Sequence, residues 1–226
     1  MPKIFIDPGH GGSDPGAVGN GLQEKNLTLS IATRLRDILL NEYQNVEVKM
    51  SRTSDVFIGL SQRATMANQW GADYFVSIHI NAGGGTGFES YVHSSLPAGA
   101  VAKQKIIHPE IVNAMKVKDR GMKNANFAVL RETVMDALLT ENLFIDNSTD
   151  AQKLASASFL QTIALGHANG IAKAFGLKRK DSSSPNYMYR VIVDGTQTGA
   201  YSLKENILNE VGRHIGTATN ILVQKV

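Results

Sequence analysis

Two histidines in this sequence follow apolar runs that are typical of buried strands. His10 comes after residues 4–7 and lies within Pro8-Gly9-His10-Gly11-Gly12, where the glycines permit positive φ and leave space for a ligand. His79 stands near the end of a second apolar run, residues 74–80. Neutral imidazole is the commonest protein ligand for metals, although a histidine in such a turn can also serve only to hydrogen-bond the turn.

The composition limits what could share a metal with these histidines. The chain has 226 residues and no cysteine, so disulfides and thiolate sites are excluded and His, Asp or Glu must supply every ligand. Catalytic zinc sites use three protein ligands and leave one position for water. His10, Glu24 and His79 can form such a set of two imidazoles and one carboxylate.

Alternating strand and helix patterns indicate how these residues come together. The predicted strands are 4–7, 46–50, 74–80, 88–93, 127–131 and 137–141, and the predicted helices are 26–41, 60–70, about 97–117 and 151–175. This order predicts an α/β fold with a mainly parallel central sheet flanked by helices. Ligands of such sheets bind beyond the carboxyl ends of the strands, where His10, His79 and Glu141 are expected to converge.

A polar, serine-rich stretch divides the chain in two. We predict a catalytic domain at 1–176, a linker at 177–186 and a small α+β module at 187–226, with strands at 189–193 and 221–223, a turn at 194–195 and a helix at 202–214. Residues 1–176 hold 16 basic and 16 acidic side chains, so the net charge of +3 belongs to the remainder. Its densest patch, Lys178-Arg179-Lys180, is either a solvated linker or a site of weak attraction to an anionic polymer. The absence of a long basic face with interleaved aromatics argues against nucleic acid.

Membrane insertion and export are not expected from the sequence. No apolar run approaches the roughly 18 residues that a spanning helix needs. The first residues enter a strand at once, without the basic and apolar regions of a signal peptide, so synthesis in the cytoplasm is predicted.

Six motifs in order carry a resemblance to a known family. They are residues 6–12, Glu24, residues 51–53, Leu60 with Arg63 and residues 67–68, residues 77–81, and residues 139–142. Over about residues 3–176 the chain is similar to the zinc-dependent N-acetylmuramoyl-L-alanine amidases of bacterial cell walls, the amidase-3 family. It departs at Asp136, where family members tend to have proline.

The resemblance implies a ligand set and a reaction. His10, Glu24 and His79 would bind one Zn²⁺, and Glu141 would be the catalytic carboxylate. A zinc-bound water, with Glu141 as general base, would cleave the amide between N-acetylmuramic acid and L-alanine of peptidoglycan. Two other activities remain open: another zinc-dependent amide hydrolase of the wall, a peptidase or deacetylase, and an inactive wall-binding protein.

Three further side chains are candidates for substrate contact or support of the site. Arg52 could contact substrate or form a structural bridge to Asp55. Asn81 is expected to stabilise the loop after His79. Glu132 is either a second acid near the cleft or an ion-pair partner of Arg131 or Lys123.

Several polar residues are given supporting or structural roles. Either Asp7 or Asp14 could orient His10, with Asp7 more typical of a residue that shapes a turn. His93 is expected to be partly exposed and His108 to lie at the surface. His167 and His214 are assigned structural roles in helices.

The C-terminal module resembles the short wall-binding module of Bacillus phage endolysins and, more weakly, half of a sporulation-related repeat that binds glycan strands. Both likenesses imply binding to peptidoglycan or its anionic polymers. The whole chain is therefore expected to act at the cell wall after release, as an endolysin or an autolysin.

Overall fold

The computed structural model describes residues 1–180, 189–201 and 204–225, which form two compact units, Met1–Lys180 and Asp181–Val226. The first unit extends four residues beyond the predicted boundary. The N–H of Gln44 donates to the carbonyl of Lys178, and the N–H of Lys180 donates to the carbonyl of Glu42. These bonds join the start of the predicted linker to the first unit, and linker residues 181–186 lie outside the described residues.

Eight strands and six helices are described in the first unit. In chain order they are β1 (Lys3–Pro8), β2 (Val18–Gly19), β3 (Leu22–Gln23), α1 (Glu24–Glu42), β4 (Glu47–Met50), α2 (Leu60–Trp70), β5 (Tyr74–Asn81), β6 (Phe88–His93), α3 (Ala98–Met115), β7 (Asp119–Ala125), α4 (Ala128–Arg131), β8 (Asp136–Phe144), α5 (Ser148–Leu154) and α6 (Ala157–Phe175). Six strands form one sheet in the order β4-β1-β5-β8-β6-β7. All its neighbours are parallel except β6 and β8, so the prediction of a mainly parallel α/β fold is confirmed.

The two faces of the sheet bury different sets of side chains. Because side chains alternate along a strand, Ile6, Val76 and Leu138 face one core, which α1, α3 and α6 cover. Phe5, Phe75 and Leu139 face the other, smaller core beneath α2 and α4. None of the described helices is long and apolar enough to cross a membrane.

Two predicted elements are wrong. The predicted strand 127–131 is a single helical turn, because the carbonyl of Phe127 accepts hydrogen bonds from the N–H groups of Leu130 and Arg131. The predicted helix 151–175 is two helices, α5 and α6. The extended backbone of Ser156, with φ −87° and ψ 120°, interrupts the helix and caps α6.

Strand and helix ends also differ near the candidate site. The hairpin of β2 and β3 leads directly into α1, so Glu24 is the first helical residue rather than a residue before the helix. Strand β8 continues to Phe144, which places Glu141 inside the strand rather than at its end. Strand β7 was not predicted, because its polar sequence lacks an alternating apolar pattern.

The second unit is a small α+β module, as predicted. It consists of β9 (Tyr189–Val193), β10 (Thr196–Tyr201), α7 (Lys204–His214) and β11 (Ile221–Lys225), with the strands antiparallel in the order β10-β9-β11. The predicted turn at 194–195 joins β9 to β10, a strand that the sequence analysis missed. The predicted helix starts at 202, and residues 202 and 203 lie outside the described residues.

Candidate metal centre

Three side chains from separate elements meet at the carboxyl end of the sheet. His10 follows β1, Glu24 opens α1 and His79 lies in β5, and one ligand atom from each falls within 4.8 Å of the others. The Oε1 atom of Glu24 is 3.2 Å from Nε2 of His10 and 3.0 Å from Nδ1 of His79. Two imidazole nitrogens and one carboxylate oxygen are suitable ligands for a divalent cation such as Zn²⁺.

Hydrogen bonds fix the orientation of these ligands. Nδ1 of His10 lies 2.8 Å from Oδ2 of Asp14, which leaves Nε2 facing Glu24. The N–H of Gly16 donates to the other oxygen of Asp14 over 3.0 Å. The N–H groups of Ala17 and Ile80 donate to Oε2 and Oε1 of Glu24 over 2.8 and 2.9 Å. Carboxylates that hold ligating histidines are a usual part of metal sites, and Asp14 rather than Asp7 has this position.

The charges in this cluster reinforce one another. Burial lowers the pKa of His10, but Glu24 and Asp14 outweigh it and raise that pKa to about 9. Burial also lowers the pKa of His79, but the hydrogen bond and negative charge of Glu24 outweigh burial and raise that pKa. For Glu24, burial is outweighed by His10 and His79, which hold the pKa of the carboxyl well below its usual range. The site therefore contains an ionised carboxylate that attracts positive charge.

Two glycines leave the space that the cluster occupies. A Cβ atom at Gly9 would lie 2.3 Å from Cε1 of His79, and one at Gly16 would lie 2.6 Å from Oε2 of Glu24. Gly16 also has φ +66°, which side-chain-bearing residues rarely adopt. Both glycines are therefore required by the close approach of the backbone to the ligands.

A buried ion pair holds the turn that carries His10. Nη1 of Arg63 lies 2.7 Å from Oδ1 of Asp7, and both side chains are almost fully buried. Ser51 and Ser77 donate to the two oxygens of Asp7. Nη2 of Arg63 donates to the carbonyl of His10 over 2.7 Å, and His10 itself has φ 60°. The ion pair thus stabilises an uncommon backbone conformation at a candidate ligand.

Arg52 and Asp55, one of the two pairings considered for Arg52, form no ion pair among the described residues. The guanidinium of Arg52 is buried and donates to the backbone carbonyls of Pro8, Gly9 and Lys25. Asp55 instead accepts from Nζ of Lys25 at 2.8 Å. Arg52 therefore links the turn before His10 to the first turn of α1.

Glu141 stands next to the three ligands. It pairs in register with His79 across the parallel strands β8 and β5, and its Oε2 atom is buried without a hydrogen-bond partner among the described residues. Burial raises the pKa of Glu141 to about 7; His79 opposes the rise, while Glu24 and Glu89 add to it. A buried carboxyl that titrates near neutrality beside a ligand cluster is typical of a catalytic acid or base.

A cavity of about 470 Å³ opens over Glu141, His10 and His79. His10, His79, Arg63, Asp7 and Asp14 also contribute to its lining. Most of its remaining wall is apolar. It comes from the start of α2 and the loop before it, from α4 and the residue that caps it, and from β8: Phe57, Ile58, Leu60, Phe127, Ala128, Val129 and Leu139.

Residues 4–173 match the N-acetylmuramoyl-L-alanine amidase family, Amidase_3. The chain belongs to this family. It is 56% identical over 206 residues to a sporulation-specific N-acetylmuramoyl-L-alanine amidase of Bacillus subtilis, covering 91% of this chain and 78% of that one. It is 48% identical over 187 residues to an endolysin of Bacillus phage SPP1, covering 80% and 69%.

Solved structures of amidases share the fold of the first unit. An N-acetylmuramoyl-L-alanine amidase from Clostridium difficile 630 matches with a TM-score of 0.75 at 35% identity, over 77% of this chain and 97% of that one. The catalytic domain of another, from Paenibacillus polymyxa, matches with a TM-score of 0.75 at 34% identity, over 79% and 100%. The mainly parallel sheet with flanking helices is therefore the amidase fold.

Asn81 and Glu132, two other candidates from the sequence, do not line the cavity. Asn81 accepts the N–H of Ala82 and donates to Oε1 of Glu89 over 2.8 Å, so it supports the loop after β5. Glu132 pairs with Arg131 at 3.1 Å, one of the two partners considered for it. The other, Lys123, pairs with Glu89.

Glu89 is a polar residue beside the candidate site that was not predicted from the sequence. It lies directly opposite Glu141 across β6 and β8, and it is almost fully buried. Its position in the strand 88–93 does not distinguish Glu89 from any other residue on the same face of that strand, so the sequence alone gives no signal for its role. Only the pairing of β6 with β8, which are distant in sequence, places it beside Glu141.

Two histidines outside the amidase site are buried. His108, predicted at the surface, lies between Oγ of Ser90 and Oδ1 of Asp119, each 2.8 Å away. The helix α3 continues through Pro109, which turns His108 toward the sheet. His167 contacts Oγ1 of Thr140 and the carbonyl of Ile163, in agreement with a structural role.

Proposed function

We propose that this amidase hydrolyses the amide between N-acetylmuramic acid and L-alanine, with one Zn²⁺ held by His10, Glu24 and His79 and with Glu141 as general base. This proposal is supported by the buried Oε2 of Glu141, which has no hydrogen-bond partner among the described residues and lies beside His79, one of the three candidate ligands. Zn²⁺ bound there would lower the pKa of a water molecule and polarise the scissile carbonyl.

The protein's own groups account for the proton transfers. Oε2 of Glu141 accepts a proton from the attacking water and then delivers it to the nitrogen of the departing alanine. A pKa of about 7 suits both steps, because the group is readily ionised and readily protonated near neutral pH. The hydrogen bond between Asp14 and Nδ1 of His10 fixes the imidazole ring, so that Nε2 stays directed at the proposed Zn²⁺ position during the reaction.

The apolar wall of the cavity supports a substrate with hydrocarbon groups at the reacting centre. The scissile amide is flanked by the methyl of the lactyl group and the methyl of alanine. Phe57, Leu60 and Phe127 line the cavity at its exposed side and would exclude water around these methyl groups.

The C-terminal unit is proposed to bind peptidoglycan or its anionic polymers. It forms a compact unit of its own, and it holds as many acidic as basic residues. The net positive charge of the chain comes from Lys178, Arg179 and Lys180, the last residues of the first unit, so the positive residues that could attract an anionic polymer lie just before the C-terminal unit. A sporulation-specific amidase and a phage endolysin are both similar to this chain, which supports wall lysis as an autolysin or an endolysin.

The test is digestion of purified Bacillus cell walls, with measurement of new amino-terminal residues and of new reducing sugars. The intact protein is compared with Glu141→Gln, with a chelated sample restored with Zn²⁺, and with Glu132→Gln as a matched control outside the cavity. We expect amino-terminal alanine without reducing sugar, loss in Glu141→Gln and in the chelated sample, recovery with Zn²⁺, and full activity in the control.

Other outcomes would identify the alternatives. New peptide termini other than alanine would indicate a peptidase, and free amino sugars would indicate a deacetylase. Binding to walls with no product at all would indicate an inactive wall-binding protein.

A further inference from the structure

The carboxylate of Glu89 is saturated by four donors. Its Oε1 accepts from Nδ2 of Asn81 at 2.8 Å and from the hydroxyl of Tyr91 at 2.7 Å. Its Oε2 accepts from Nε of Arg120 at 2.7 Å and from Nζ of Lys123 at 2.5 Å. Burial opposes its ionisation, but these donors hold its pKa at about 2. Glu89 is therefore a fixed anion with no capacity left for another ligand.

The two cations around Glu89 are not saturated. One carboxylate faces two positive groups, so the cluster has one positive charge in excess. Within the described ranges, Nη1 and Nη2 of Arg120 donate no hydrogen bond, and Nζ of Lys123 contacts only Glu89 among hydrogen-bond acceptors. The side chains are 29% and 37% exposed, so both reach solvent. These free donors favour a second anion.

This cationic pair adjoins the catalytic cavity. Glu89 and Glu141 are directly opposite one another, which puts their side chains about 5 Å apart at the Cβ atoms. On the neighbouring strand Lys123 pairs with Tyr91, whose ring lies edge-on to Phe127 with centroids 5.2 Å apart. Phe127 in turn lines the cavity. The free donors therefore lie one side chain beyond Glu141.

We propose that Arg120 and Lys123 form an anion subsite that binds a carboxylate of the stem peptide close to the scissile amide. This inference rests on the proposed function. Successive residues of a peptide are about 3.8 Å apart, so a carboxylate on the second residue lies within reach when the first residue is at Glu141.

The chemistry of the substrate assigns the anion to the peptide rather than to the sugar. The one carboxyl group of N-acetylmuramic acid is consumed in the scissile amide, and its other groups are neutral. The stem peptide retains free carboxylates. Arg120 and Lys123 would therefore fix the orientation of the substrate, with its stem peptide running from Glu141 on β8 across β6 toward β7.

The experiment compares two soluble substrates that differ in one group. They are N-acetylmuramoyl-L-alanyl-D-glutamate with its γ-carboxyl blocked as an amide, which has one free α-carboxylate on its second residue, and the isoglutamine compound blocked in the same way, which has none. We expect the Zn²⁺-loaded protein to favour the carboxylate substrate by about 10- to 100-fold in kcat/KM, mainly through KM. The double variant Arg120→Gln with Lys123→Gln should cleave both substrates at similar rates.

The substrate preference is also measured in a control variant, Lys105→Gln, and in the native protein. Lys105→Gln removes one exposed positive charge from α3, which covers the opposite face of the sheet, and should keep the preference. Equal cleavage of the two substrates by the native protein would overturn the subsite and leave the proposed function intact. Failure to cleave either substrate, or release of products other than the two expected fragments, would overturn the proposed function itself.

Discussion

Glu141 and Glu89 face each other across the antiparallel pair of β8 and β6, yet their surroundings give them opposite properties. Glu89 accepts four hydrogen bonds, and its pKa is held at about 2. Burial raises the pKa of Glu141 to about 7, and the charge of Glu89 contributes to the rise. One carboxylate is thus a permanent anion, and the other can exchange a proton near neutral pH.

The negative charge of Glu89 should keep the pKa of Glu141 high. Replacing Glu89 by Gln removes a negative charge and leaves Arg120 and Lys123 uncompensated, and both changes favour the ionised form of Glu141. The pKa of Glu141 should fall, and the acidic limb of the pH profile of kcat/KM should move to lower pH. The Glu132→Gln variant should leave the limb in place, and an unchanged or raised limb in Glu89→Gln would contradict the prediction.

Asp14 should determine how tightly the centre binds metal. In Asp14→Asn the acceptor for Nδ1 of His10 loses its charge, so the affinity for Zn²⁺ should fall by about 10- to 100-fold. Competition with a chromophoric chelator measures this without any assay of activity. Asp37→Asn, an exposed change on α1, should keep the native affinity.

The buried pair of Asp7 and Arg63 should be important for stability. Arg63→Met leaves the Asp7 carboxylate buried without its cation, which should lower the free energy of unfolding by about 3–5 kcal/mol in urea titrations. Arg36→Met removes a partly exposed pair with Asp37 and should cost less than about 1 kcal/mol. Similar losses in the two variants would show that the buried pair has no special role.

His167 should make the first unit sensitive to acid. Burial lowers its pKa from 6.5 to about 4, so the unfolded chain binds the proton more tightly than the folded chain. Stability should therefore decline as the pH falls below about 6.5 and level off near 4, with a total loss of about 3 kcal/mol. His167→Gln should lack this part of the pH dependence, and an identical acid profile would refute the assignment.

Removal of the C-terminal unit should separate binding from catalysis. A chain ending at Lys180 retains the whole described core of the first unit and should unfold cooperatively. It should hydrolyse soluble muropeptides at the native rate but sediment less with purified walls. Undiminished sedimentation would show that the C-terminal unit is not the wall-binding module.

The sequence by itself determined the fold class and the candidate ligands. Apolar strand-like runs that end near His10 and His79 identified the functional edge of the sheet, because parallel strands present their carboxyl ends together. The absence of cysteine limited the ligands to His, Asp and Glu. The predicted fold class is confirmed, and His10 and His79 lie at one edge of the sheet, because both inferences depend on patterns within a few residues of one another. The roles of these residues as metal ligands stay predictions.

Only the tertiary structure decided which polar groups act on the site. Glu89 became a neighbour of Glu141 through the pairing of β6 with β8, and Arg120 joined them through β7, whose polar sequence gave no strand signal. The folded structure likewise shows that Arg52 donates hydrogen bonds to the backbone carbonyls of Pro8 and Gly9, which are distant from it in sequence. The charge state of a buried carboxylate depends on groups that are distant in sequence, and the sheet order that joins them is a property of the folded chain.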